Sequence, residues 1–173
     1  MDYKAVESFD KKLDNCNTLA EIFELVKQSV KRFLNRHRSG LMLGLADLGM
    51  KQGYFVGAFH LVGSNIIVMN RVPLETALQT VDKKLFNAYC FHILIHEYLH
   101  SFGYTDEAEV RDLTQEVCRL ALGDGHPATV MSEKGITVYF PKVTYFNQQS
   151  SLPDDIQIEL VKDFDSSSAG YIH

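Results

Sequence analysis

The sequence predicts an α+β domain, on three observations. An amphipathic helical repeat lies near the N-terminus, short apolar runs punctuated by glycine follow it, and a long apolar helix comes next. A small antiparallel or mixed sheet packed on one central helix accounts for that order. The 173 residues suffice for one core and are few for two. Residues 1–173 are therefore read as a single domain, with an N-terminal helical segment at 1–38 and a flexible tail at 166–173.

Thr18 and Glu21 have capping-box spacing, and Leu19, Ile22, Phe23, Val26, Val30, Phe33 and Leu34 then recur at helical intervals. The pattern predicts a helix to about His37. Its basic end (Lys31, Arg32, Arg36, His37, Arg38) suits the negative pole of the helix dipole better than it suits a nucleic-acid patch. From Gly40 onward, residues 41–46, 54–61 and 66–70 read as three strands. Gly49 and Gly53 supply turn chemistry between the first two, and Gly63, Ser64 and Asn65 between the last two, so an antiparallel meander is expected.

Pro73 should close the sheet segment. Residues 85–102 then form a helix that is apolar nearly all round, the expected mark of a buried central element, and Gly103 should end it in left-handed geometry. Asp106 and Glu109 again have capping-box spacing and open a helix that closes at Gly123, with His126 and Pro127 in a following loop. Residues 136–140 and 156–161 read as strands.

The formal net charge of −5 implies no general attraction to nucleic acid. Cys16, Cys90 and Cys118 are odd in number and lack C-x-x-C spacing, as expected of reduced, packed thiols in a cytoplasmic protein. Residues 1–17 are polar and mixed in charge, so a secretory leader is not expected. The longest apolar stretch, 89–95, is far short of the roughly 20 residues of a membrane span.

The chemistry resides in His96-Glu97-Tyr98-Leu99-His100, an H-E-x-x-H run inside the central helix. Spacing of i, i+4 places both imidazoles on one face, where they can share a Zn²⁺ at about 2.0–2.1 Å. Glu97 then stands near the metal without ligating it, placed to take a proton from water attacking a carbonyl. The alternative of two core histidines and an incidental glutamate fares poorly, because buried polar groups without partners are costly.

Continuing to Asp106 gives H-E-x-x-H-x-x-G-x-x-D, which resembles the zincin superfamily of metallopeptidases and in spacing its metzincin branch. The resemblance is specific over residues 90–109. It implies His96 and His100 as zinc ligands, Glu97 as catalytic base, Asp106 as third ligand, and a peptide or protein substrate bound along an edge strand formed with residues 66–70. The metzincin methionine turn has one candidate, Thr129-Val130-Met131-Ser132, but a whole helix intervenes. Glu109 on that helix is instead similar to the third ligand of the gluzincin branch, of which minimal archaeal members are the nearest match. Asp106 and Glu109 both stay open as ligands, both also serve as a plain cap, and Glu107 or Glu116 would be next in turn.

A zinc peptidase is the leading expectation. A metal-dependent endoribonuclease is the rival, disfavoured by Glu97 and the acidic charge, and a latent zinc-binding zincin is the third. Latency would arise if His173 on the Ser166–Gly170 tether reached the metal. His92, one turn before His96, reads as a hydrogen-bonded core histidine or a partner of the site. No role is assigned to His60 or Tyr104, and His126 reads as structural or exposed.

Overall fold

The computed structural model describes residues 7–49, 54–140, 144–145 and 155–165. Helices α1 (Phe9–Asp14) and α2 (Leu19–Leu34) come first. The capping box of α2 is complete: Thr18 Oγ1 accepts from the Glu21 N–H at 3.1 Å, and the Glu21 carboxylate accepts from the Thr18 N–H at 3.3 Å. The helix stops at Asn35, which takes left-handed φ 51°, so it is shorter than the apolar pattern suggested.

The strands are β1 (Met42–Ala46), β2 (Tyr54–Phe55), β3 (Ala58–His60), β4 (Ile66–Asn70), β5 (Thr144–Tyr145) and β6 (Glu159–Leu160). Four of them form one mixed sheet in the order β3-β4-β1-β6, and β2 pairs in parallel with β5. The expected antiparallel meander is only half realised. β3 and β4 form the antiparallel hairpin, but β1 runs parallel to β4. Buried Asn70 explains the difference. Its side chain accepts from the Leu48 N–H at 3.1 Å and donates to the Gly49 carbonyl at 3.1 Å. The chain leaving β1 is thus tied to the end of β4 and does not fold back along its own strand. The same Asn70 side chain accepts from the Val72 N–H and caps helix α3 (Arg71–Thr80). Pro73, expected as a stop, lies in the first turn of α3, where its missing N–H has no helical partner to lose.

Helix α4 (Lys83–Ser101), capped by Asp82, is the central element. It packs against α1, α2, α3, β3 and the two later helices, and it is buried on most sides, as its composition requires. Helix α5 (Glu107–Leu122) ends at Gly123 as expected. The segment read as a loop after it is helix α6 (Pro127–Lys134), with Pro127 at its first position and His126 Nδ1 accepting from the Ala128 N–H at 3.2 Å. Residues 136–140 are not a strand. Ile136 is buried, and the N–H groups of Tyr139 and Phe140 both bond back to its carbonyl, which coils Ile136–Val138 into a 3-10 turn. All three cysteines are free and buried, and burial pushes the Cys16 thiol up to about 11 and the Cys118 thiol to about 12.

Leu43, Ile67 and Met69 join the core shared with the helices. Gly44 and Val68 face the other side, where Ile158 lies so close over Gly44 that an added Cβ would clash with it. The stretch expected as a strand at 156–161 pairs only through β6, and the Val161 N–H bonds the Leu43 carbonyl at 2.8 Å. In this strap Asp165 is buried, pairs with buried Lys27, and accepts from the Leu41 N–H at 2.9 Å. Lys27 keeps Glu24 at 2.9 Å when Asp165 is removed, but the Leu41 N–H loses its buried acceptor, so Asp165→Ala should lower stability by about 1–3 kcal/mol. The denaturation midpoint in urea measures this, and an unchanged midpoint would show the pair to be inconsequential.

No helix among the described residues is long and apolar enough to cross a membrane.

Candidate metal centre

The centre is built at the junction of α4 and α5. At the end of α4, the Phe102 and Gly103 N–H groups bond back to the Leu99 and His100 carbonyls. Gly103, at φ 96°, turns the chain. Asp106 then caps α5 by accepting from the Glu109 N–H at 2.9 Å, and Glu107 is the first helical residue. An added Cβ at Gly103 would meet nothing within 4 Å, so Gly103→Ala tests backbone conformation alone. It should cost about 1–2 kcal/mol, measurable by chemical denaturation.

His96 and His100 face the same way from α4, with their Nε2 atoms 3.2 Å apart. Glu107 completes the group: Oε2 lies 3.1 Å from His96 Nε2 and Oε1 lies 2.9 Å from His100 Nε2. These three residues are the His/Cys/Asp/Glu cluster with metal-binding spacing among the described residues.

No protein-family model, curated protein or solved structure matches the chain.

The donor set fits a zinc ion by its own chemistry. His100 Nδ1 lies 2.7 Å from the Tyr104 carbonyl, an arrangement in which Nδ1–H donates and the Nε2 lone pair is left facing His96 and Glu107. Ligand atoms about a tetrahedral zinc at about 2.0–2.1 Å stand about 3.3 Å from one another. The observed separations are slightly tighter than that. Two imidazoles and a carboxylate are also the borderline ligands zinc accepts, leaving one position open. The hydrogen bond with His96 holds the Glu107 carboxyl below its ordinary range against the opposing effect of burial.

Of the sequence candidates, His96 and His100 are brought together, and Glu97 lines the adjoining cleft without joining the cluster. Asp106 and Glu109 do not join them. The Asp106 side chain is engaged at the helix N-terminus, so the position after it is the one whose side chain meets α4. The signal for Glu107 was therefore available: a residue that caps a helix is occupied, and the first residue inside the helix becomes the candidate.

Two clefts meet at Glu107. One of about 350 Å³ is lined by residues including His92, His96, Glu97, Arg111 and Met131. The other, of about 660 Å³, is lined by residues including Arg38, His60, His100 and Tyr104. Glu97 is 3% exposed in the wall of the first. Met131, the candidate for a methionine turn, sits in helix α6 and contributes to the same wall. His60 Nε2 bonds the Ser64 carbonyl at 3.0 Å, and the ring of Tyr104 packs beneath the Arg36 guanidinium at 5.8 Å. His92 is buried as expected, but its Nδ1 has no hydrogen-bond partner, so the expected hydrogen-bonded core role is not realised. The 166–173 tail and its latency role lie outside the described residues.

Proposed function

We propose that this protein is a zinc-dependent hydrolase that cleaves peptide bonds, with Glu97 as general base and His96, His100 and Glu107 as the ligands. The observation that carries the reading is the convergence of His96 Nε2, His100 Nε2 and the Glu107 carboxylate within 3.2 Å of one another, with buried Glu97 in the wall of the cleft that opens on them. Bound there, zinc would supply Lewis acidity to a substrate carbonyl and lower the pKa of water toward neutrality. Glu97 would accept the proton from the attacking water and return it to the departing amine. Its burial holds the carboxylate away from competing solvent.

The sheet supports a peptide as substrate. β3 is the end strand of its sheet, Gly57 and Ala58 line the first cleft, and His60 lines the second. A substrate extended along this strand would pass over the zinc ligands from one cleft to the other. A third ligand that comes from the start of a second helix resembles the gluzincin arrangement more than the metzincin one.

The test is digestion of a peptide library by zinc-loaded protein. Cleavage should stop on chelation, return with added zinc and be absent from Glu97→Gln. A zinc-loaded protein that cleaves no peptide in the library would overturn the proposal.

A further inference from the structure

The cleft on the Glu97 side holds two further polar groups that the fold does not use. α4 and α5 are joined by residues 102–106 and pack against each other. One turn away from that loop, the path leads back from His96 to His92 on α4 and forward from Glu107 to Arg111 on α5. His92 and Arg111 therefore lie on the same side of the triad, each about 6 Å along its helix from a ligand. Both line the cleft of about 350 Å³.

His92 is 9% exposed, and its Nδ1 is sealed from solvent without a partner. A buried N–H left without an acceptor is rarer and costlier than a bare acceptor. That favours the tautomer with the proton on Nε2, the ring nitrogen left to meet the cleft. Burial, with His96 nearby, keeps the ring neutral by pushing its pKa down to about 3. Arg111 has no ion pair or hydrogen bond among the described residues, and it brings up to five donors to the same cleft. Lys134 adds a second positive charge to a lining that also carries Glu133, and the two other carboxylates there, Glu97 and Glu107, are the ones turned to the metal chemistry, so Arg111 is the cation placed for a substrate group. A neutral N–H donor beside a guanidinium complements an oxyanion, and a guanidinium pairs best with a planar carboxylate.

We propose that this cleft binds a carboxylate of the substrate within two residues of the cleaved bond, with Arg111 and His92 as specificity-determining residues. The inference rests on the peptidase reading. An extended peptide advances about 3.3–3.6 Å per residue, so a group about 6 Å from the zinc ligands reaches the first or second residue beyond the cleaved bond. That carboxylate is either an acidic side chain or the free C-terminus of the peptide.

The test is calorimetric binding to zinc-loaded Glu97→Gln protein, which needs no turnover. Three probes are compared: N-acetyl-Ala-Ala free acid, N-acetyl-Ala-Ala amide and N-acetyl-Ala-Asp amide. At least one carboxylate probe should bind roughly tenfold tighter than the neutral amide. Preference for the free acid identifies a terminal carboxylate, and preference for the aspartyl amide identifies a side chain. Arg111→Gln should abolish the preference, Arg111→Lys should restore part of it, and His92→Gln should weaken it. Arg111 is exposed, so its variants keep the fold. Equal binding of all three probes, binding of none, or a preference that survives Arg111→Gln would overturn the inference. Failure to cleave any peptide would remove the hydrolase reading and leave a measured carboxylate preference standing. Cleavage without preference would remove only the carboxylate site.

Discussion

Glu107→Gln is expected to lower zinc affinity by orders of magnitude, while Asp106→Asn and Glu109→Gln leave it nearly unchanged. A three-ligand site that loses its only anion loses both a bond and the charge that offsets the dication. Glu107 is the carboxylate within 3.1 Å of both imidazoles. Asp106 is committed to the Glu109 N–H, and an asparagine there still caps, so Asp106→Asn should be nearly neutral in stability as well. His96→Ala and His100→Ala should abolish tight binding. Because zinc bound to the folded state stabilises it by mass action, chelation should lower the melting temperature of the parent and leave that of the histidine variants unmoved. Competition with a chromophoric chelator measures all five variants on one scale. Affinity lost selectively in Asp106→Asn would return the third ligand to the position favoured by spacing, and loss in Glu109→Gln would move it two residues further into α5.

The parts of the fold and site that could be read from sequence are those governed by local rules. The Thr18–Glu21 capping box, the central helix and the Gly103 turn each depend on a few adjacent residues, and each is present. The pairing of His96 with His100 follows from helical periodicity alone. What sequence left open depends on distant contacts. The parallel placement of β1 beside β4 rests on Asn70 bonding to Leu48 and Gly49, residues some 20 positions away, as set by the observed bonds. Residues 136–140 alternate well enough for a strand, but Ile136 is buried beside α6 and the backbone coils around its carbonyl. The choice among Asp106, Glu107 and Glu109 turned on a single rotation about the helix start. Six-residue spacing favoured Asp106, and its capping bond gave the position facing α4 to Glu107.

Glu97→Gln is expected to reduce kcat by about 10²–10⁴-fold while zinc content stays at the parent level. The side chain lines the cleft beside His96 but is not one of the three clustered ligand groups, so the amide removes a proton acceptor and leaves the donor set intact. Glutamine is nearly isosteric with glutamate. At a position 3% exposed on the central helix, it should pack in the same space, so the variant tests chemistry with the fold kept. A fall in kcat without a matching rise in KM separates a chemical role from a binding one. Glu97→Asp is the complementary variant: it keeps the acid but withdraws it by one methylene, and its rate should fall between parent and Gln. Steady-state kinetics on the best library peptide, with zinc measured on the same samples, decides the matter. Zinc lost together with activity would make Glu97 a ligand or a structural group, and a rate equal to that of the parent would take it out of the reaction altogether.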